Sequence, residues 1–237
     1  MKAIRLSFLQ MLRQMRKDYM LFIMPLVPFL AGAAIRFGLP FAEERLTAHF
    51  SVPALLAPYY QLADALLTLL APILLSFVAA LILLEEADDG IVAYLSVTPL
   101  GKKGYLLSRL GMMALISIPF SLLVSFLFHI KGFGVVETLL LCIAGAIYGC
   151  VVSLIVVAFS SNKVEGMALG KLTSLLTVGL IIPYCVSSPA QYLFAPLPPF
   201  WLAKFLLEKN SLYLGAFLLV ALGWAAALGR RFLRKLG

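Results

Sequence analysis

Six long apolar stretches dominate this sequence, and they constrain its fold more than any other feature. A helix rises about 1.5 Å per residue, so about 20 apolar residues are needed to cross the ~30 Å hydrocarbon layer of a membrane. Hydrophobic residues make up 62% of the 237 residues and charged residues only 13%, which is typical of membrane proteins. We therefore predict an all-α membrane protein with a single transmembrane domain over residues 1–237. Its six predicted spans cover residues 19–40, 62–84, 106–129, 138–161, 167–186 and 211–229.

The basic residues predict the orientation of these spans. The N-terminal segment, the C-terminal tail and the connections between spans two and three and between spans four and five hold most of the 19 Lys and Arg residues. The two residues counted for the connection between spans four and five are Lys163 and Lys171, the second of which lies just inside the predicted span five. Basic residues favour the cytoplasmic side, so both termini are predicted to be cytoplasmic. We expect span one to be retained and not cleaved as a signal peptide, because Pro25 and Pro28 interrupt its apolar stretch.

Residues 1–18 are predicted to form an amphipathic helix that lies in the membrane surface and contacts lipid. A basic anchor that only fixes topology is an equally good interpretation, and the two are compatible. The apolar face of the helical wheel consists of Ile4, Phe8, Met11, Leu12, Met15 and Tyr19, and the basic face of Lys2, Arg5, Arg13, Arg16 and Lys17.

The sequence lacks the motifs of enzymes. Neither a His-Glu-x-x-His nor a Gly-x-Ser-x-Gly pattern occurs, and the two histidines lie near span ends. The stretch EGMALGKLT, residues 165–173, imitates a phosphate-binding loop, but its glycines are four apart and Leu172 follows Lys171. The three cysteines lie in apolar runs and predict no metal site. The basic residues cluster at membrane boundaries, so nucleic-acid binding is not predicted either.

Charged and polar residues inside the spans are few. Asp64 and Glu137 approach the membrane interior most closely, and each is interpreted as a solvated residue at a span boundary. Uncharged polar residues recur at helical spacing and either line a path or bond to their own backbone and pack between helices. The candidates for a path are Thr68, Ser76, Ser121, Thr173, Ser174 and Thr177.

Two pairs of glycines and one Pro-rich segment indicate how the spans are arranged. Gly145-x-x-x-Gly149 and Gly166-x-x-x-Gly170 predict close helix packing in spans four and five. Residues 187–210 contain several prolines and five aromatic residues. We predict a re-entrant segment before span six, and an aromatic belt at the interface remains an equal alternative.

The stretch LLEEADDGIVAYLSVTPLGKKGYLLSRL, residues 83–110, interrupts the apolar sequence between spans two and three. Its residues 85–103 contain four acids, a short apolar helix, a Thr-Pro stop and a Lys pair. The acids favour the positive N-terminal end of the helix, and Pro99 ends it. We predict a cytoplasmic helix whose apolar side docks into a groove on a partner.

This stretch resembles the signature after the second span of ABC transporter type-2 permeases, which has an acid, a Gly, an apolar helix, Thr-Pro, a basic pair and a Tyr. The layout is similar too, with an N-terminal amphipathic helix, six spans and a Pro-broken segment before span six. The matching positions are Glu85 or Glu86, Gly90, Leu95, Thr98, Pro99, Lys102, Lys103, Tyr105 and Arg109.

The resemblance implies a permease in the plasma (inner) membrane of a bacterium that pairs with a second copy or a sister permease. Separate ABC ATPase subunits would bind ATP and Mg, and this chain would hold no cofactor. Small outer connections favour export of a small hydrophobic or amphipathic compound, drug or peptide. The residues implied in coupling to the ATPase are Glu85, Glu86, Asp88, Asp89, Gly90, Ile91, Tyr94, Leu95, Thr98 and Pro99.

Two alternatives remain at this point. The chain could be a structural or regulatory membrane protein that docks a cytoplasmic partner, or an ion-coupled secondary carrier. A carrier usually keeps titratable residues deep in the membrane, and this chain places its charges near span ends.

Overall fold

The computed structural model describes residues 2–91 and 101–235, and the regular secondary structure in these ranges is entirely helical. Six helices are long and apolar enough to cross a membrane, which confirms the predicted fold class and number of spans. Spans one to six are Tyr19–Phe50, Ala57–Asp88, Gly104–Phe128, Val135–Phe159, Lys163–Cys185 and Leu212–Lys235. The shorter elements are the N-terminal helix Lys2–Lys17, the helix Gly101–Leu106, the π-helical turn Leu107–Gly111, the 3-10 turn Pro189–Phe194 and the helix Pro198–Glu208.

Spans one and five are longer than their apolar stretches. The helix of span one continues to Phe50, ten residues beyond the predicted end, and stops where Ser51 adopts a left-handed conformation with φ 54°. Residues 41–50 are rich in good helix formers, which extend a helix past the hydrophobic layer. Span five begins at Lys163 because the Asn162 side chain accepts a hydrogen bond from the Glu165 backbone N–H at 2.9 Å.

Spans two and four form the centre of the bundle, with 72% and 78% of their most apolar windows buried. Glycines allow this close approach, as the two glycine pairs predicted. A Cβ on Gly149 would lie 2.6 Å from Ser76 Oγ and 2.7 Å from the Pro72 carbonyl oxygen. In span five, a Cβ on Gly166 or Gly170 would collide with Leu84 or Phe77 of span two. Both pairs therefore pack against span two.

The N-terminal helix packs on protein through the apolar face that was expected to enter lipid. Phe8, Met11 and Met15 are buried and belong to the same apolar cluster as Tyr105 and Leu110 at the start of span three. At these three positions the apolar face of the helix therefore contacts protein.

Contacts between connections define the two ends of the bundle. We call the end that holds both termini the terminal end; there Lys235 Nζ donates to the carbonyl oxygens of Val157 and Ser160. At the opposite, distal end, Lys209 Nζ lies 2.7 Å from Glu137 Oε1. Glu137 is therefore a boundary residue, as predicted.

Asp64 does not lie at a solvated boundary. It is only 1% exposed, and its two carboxylate oxygens accept hydrogen bonds from the backbone N–H groups of Ile130, Lys131 and Gly132 at 2.8–2.9 Å. The interpretation of Asp64 as an interfacial, solvated residue is therefore wrong. This carboxylate instead holds the turn between spans three and four against span two.

The Pro-broken segment before span six folds back into the bundle. Residues 198–206 are buried except for Trp201, which is partly exposed and donates its indole N–H to the Ala195 carbonyl oxygen at 2.8 Å. Trp224 of span six similarly donates to the Pro196 carbonyl oxygen at 3.0 Å. Side chains thus satisfy backbone groups that a broken helix leaves free.

Candidate functional site

A groove of about 710 Å³ lies between spans one, two and five. It extends from Met20, at the terminal end of span one, to Ile35 near the middle of that span. Apolar residues of span two form its floor, and methionines of spans one and five flank it. The floor residues are Leu66, Leu67, Leu70, Ile73, Leu74 and Phe77, and the methionines are Met20, Met24 and Met167.

Span five supplies the polar wall of this groove. Thr173, Ser174 and Thr177, three of the predicted path residues, all line it. A 3-10 turn over Ser174–Thr177 interrupts the α-helix there. Thr173 Oγ1 donates to the Gly170 carbonyl oxygen at 2.8 Å, and Ser174 Oγ donates to that of Lys171 at 2.6 Å. Both hydroxyl protons are thus used within the helix.

The other three predicted path residues lie in a tightly packed seam away from the groove. Thr68, Ser76 and Ser121 are fully buried. Ser121 Oγ of span three donates to the Thr68 carbonyl oxygen at 2.5 Å, and Thr68 Oγ1 lies 3.3 Å from Ser125 Oγ. Thr68 and Ser121 therefore join spans two and three, and Ser76 packs against Gly149 of span four, which is the packing role considered as the alternative.

Buried charges lie at the base of the 85–103 segment. Glu86 accepts from Arg109 Nε at 2.9 Å, from Arg109 Nη2 at 2.5 Å and from the Tyr105 hydroxyl at 2.6 Å. All three residues are at most 4% exposed. Arg109 lies in the π-helical turn Leu107–Gly111, a local widening that is frequent at functional sites. The last turn of span two is therefore clamped to the first turns of span three.

Lys163 joins three elements at the terminal end. Its Nζ lies 2.7 Å from Asp18 Oδ2 and 2.8 Å from Glu85 Oε2. Its backbone N–H donates to Asp88 Oδ2 at 3.1 Å. The hydrogen bond from Lys163 lowers the pKa of Asp18, which follows the N-terminal helix. The Lys163 ammonium group at the start of span five therefore binds both Asp18, which lies between the N-terminal helix and span one, and the end of span two.

The remaining predicted coupling residues are only partly within the described ranges. Asp89 and Ile91 are exposed, and Gly90, with φ 70°, ends span two in a left-handed conformation that favours glycine. The predictions for Tyr94, Leu95, Thr98 and Pro99 lie outside the described residues.

Sequence reasoning missed Lys163 and Lys171 as parts of sites. Lys163 was assigned to a connection, yet it is the first residue of span five, and Lys171 lines the groove. The signal for Lys163 was the Asn162 cap just before it, which marks a helix start. In residues 2–91 and 101–235, no group of three or more His, Cys, Asp and Glu is placed to hold a metal ion.

Comparison with known proteins identifies the family. Residues 11–230 match the model of the family described as fluoroquinolones export permease protein Rv2686c-like. The chain is 25% identical over 191 residues to the fluoroquinolones export permease protein Rv2686c of Mycobacterium tuberculosis strain H37Rv, covering 79% of this chain and 75% of that protein. The same values hold for the fluoroquinolones export permease protein MT2760 of Mycobacterium tuberculosis strain CDC 1551.

The match covers spans one to five, most of span six, the groove, and the contacts of Glu86 and Lys163. It agrees with the resemblance to ABC transporter type-2 permeases and with an integral membrane transport subunit. This chain therefore belongs to the Rv2686c-like family of fluoroquinolone export permeases.

Proposed function

We propose that this chain is the transmembrane subunit of an ATP-driven exporter in a bacterial inner membrane, and that it moves a small hydrophobic or amphipathic compound, drug or peptide outward. The groove between spans one, two and five carries this proposal. Its volume of about 710 Å³ is within the range of small-molecule sites, and its lining combines apolar side chains with a few polar ones. The names of the relatives, which are export permeases, support outward transport.

Energy comes from a separate ABC ATPase, which binds ATP and Mg. The Lys163 contacts support this part of the proposal, because they link the N-terminal helix to the ends of spans two and five. A push on the 85–103 segment would reach span three through Glu86, Tyr105 and Arg109. Glu86 itself is buried, so its role in coupling passes through these two partners and not through contact with the ATPase.

A second copy of the chain, or a sister permease, closes the open side of the groove. Only 17% and 22% of the most apolar windows of spans one and five are buried, and both spans form walls of the groove. Both termini face the cytoplasm, which places the N-terminal helix and the 85–103 segment on the side where ATP is available.

The coupling part is tested by substitution in the 85–103 segment. Ile91→Asp and Leu95→Asp are each expected to leave a stable permease–ATPase complex in which ATP hydrolysis no longer drives export. Val52→Asp, at an exposed apolar residue near the distal end, is the matched control and should leave export intact. Export by the purified permease without any ATPase, driven by an ion gradient, would instead identify a secondary carrier. A complex whose ATPase never responds to any compound would indicate a structural or regulatory protein.

The groove is tested separately by filling it. Ser174 is exposed and lines the groove, so Ser174→Trp places a large ring there without disturbing the core. We expect export in cells to fall at least about tenfold, because the ring occupies the surface that the cargo would contact. Leu175→Trp changes the adjacent exposed residue, which does not line the groove, and should leave export unchanged. Equal export by the two variants would show that cargo does not pass through the groove.

A further inference from the structure

One charged residue lies well inside the groove. Lys171 is eight residues after Lys163, the first residue of span five, which corresponds to about 12 Å of helix rise. It lines the groove and is exposed, and the floor opposite it consists of aliphatic and aromatic side chains of span two. Basic residues at such depth are rare and usually face a cavity that carries a substrate.

Lys171 differs from three other lysines of the described spans and their connections. Lys163, Lys204 and Lys209 each lie 2.7–2.8 Å from a carboxylate oxygen. No carboxylate of the described residues lies within ion-pair distance of Lys171. The hydroxyl protons of Thr173 and Ser174 are already donated to backbone carbonyls. In the described part of the groove wall, Lys171 is therefore a strong donor without a counter-charge.

An ammonium group against apolar surface is costly unless an anion neutralises it. We propose that Lys171 binds the anionic group of the cargo, so that the cargo class is an amphipathic carboxylic acid with an apolar body. The body lies along the floor of span two, where flexible methionines at positions 20, 24 and 167 adapt to different shapes. This inference rests on the proposed function, because it takes the groove as the cargo path.

A binding experiment on the intact permease tests this assignment without any ATPase. The permease is placed in phosphatidylcholine nanodiscs, and equilibrium dialysis measures naphthoic acid and its uncharged isostere naphthamide, with empty discs subtracted. Lys171→Gln should weaken binding of the acid by about tenfold, the loss typical of one charge-assisted hydrogen bond, and leave the amide unchanged. Lys171→Arg should bind the acid about as tightly as the unmodified permease does. Lys131→Gln, at an exposed loop lysine, is the matched control and should change neither compound.

Other results overturn the assignment. Equal loss of acid and amide in Lys171→Gln would mean that the residue acts only through structure. Acid binding that disappears when phosphatidylglycerol is added to the discs would mean that a lipid phosphate occupies Lys171. The variant Ser174→Trp separates this inference from the proposed function. If it blocks both compounds while Lys171→Gln blocks neither, the groove is the site and only the charge assignment fails. If it blocks neither, the groove is not the path.

Discussion

Arg109 holds both carboxylate oxygens of Glu86, with Nε 2.9 Å from Oε2 and Nη2 2.5 Å from Oε1. The two side chains are 1% and 5% exposed, so this ion pair is shielded from solvent. A two-pronged contact of this kind fixes orientation as well as distance. It joins the end of span two to the start of span three and so sets the separation between the two ends of the 85–103 segment.

Breaking one side of this pair should destabilise the protein more than removing both sides. Arg109→Leu leaves a buried carboxylate without its counter-charge, and we expect it to lower the free energy of unfolding by about 3 kcal/mol or more. The double variant Glu86→Leu with Arg109→Leu should recover much of that loss, because no buried charge remains. Thermal unfolding in detergent compares the variants. A double variant no more stable than Arg109→Leu alone would contradict this account.

The contact between Asp18 and Lys163 predicts how acid affects the terminal end. The hydrogen bond from Lys163 holds the pKa of Asp18 below its ordinary value of 3.8. A carboxylate whose pKa is lower in the folded state stabilises the fold above the unfolded pKa, and that contribution is lost as pH falls through the folded pKa. Asp18→Asn should therefore lower the unfolding temperature by a constant amount between about pH 5 and pH 8, and the difference should shrink below pH 3.8.

The control for this pH profile is Asp89→Asn, which alters an exposed carboxylate at the end of span two. We expect its unfolding temperature to follow that of the unmodified protein at every pH. A difference between Asp18→Asn and the unmodified protein that persists unchanged in strong acid would show that Asp18 acts through packing and not through its charge.

The sequence was sufficient to predict the spans and their closest packing. Hydropathy gives the number and order of the spans because each must match the thickness of a membrane. The glycine pairs predicted close contact between helices because a helix face without Cβ atoms lets a neighbouring helix approach, whatever the rest of the fold. The contact of Gly149 with Pro72 confirms this prediction.

The roles of the charged residues could not be predicted in the same way. Asp64 and its partners at residues 130–132 are distant in sequence, and hydropathy does not distinguish a solvated carboxylate from a buried one that caps a turn. The same holds for Glu86 and Arg109, of which one lies at the start of the 85–103 segment and the other just beyond its end. Lys163 was assigned to a connection because an apolar window cannot locate a helix start that depends on the Asn162 cap.

The packing of spans two and four predicts a sharp difference between two glycines. In Gly149→Ala the new methyl group meets the Pro72 carbonyl oxygen at 2.7 Å, and this backbone atom cannot rotate away. Overpacking should lower the free energy of unfolding by about 1–3 kcal/mol. Gly223→Ala in span six is the control, because nothing lies within 4 Å of its added Cβ. Its unfolding temperature should be unchanged or higher. A Gly149→Ala protein as stable as the control would mean that the two spans are less closely packed.

Asp64 provides a test that separates a structural carboxylate from a proton carrier. Its two oxygens accept three backbone N–H bonds, and the side-chain amide of the Asp64→Asn variant could offer only one oxygen in their place. This variant should therefore weaken the turn at residues 130–132, and amide hydrogen exchange there should accelerate by at least about tenfold, as expected for loss of hydrogen bonds to a charged group. Glu44→Gln, at an exposed residue near the distal end of span one, should leave that exchange unchanged.

If Asp64 only holds the turn, ATP-driven export by Asp64→Asn should keep the pH dependence of the unmodified protein, even where its rate is lower. Export that loses its pH dependence in this variant, with unaltered exchange at the turn, would instead assign Asp64 to proton transfer.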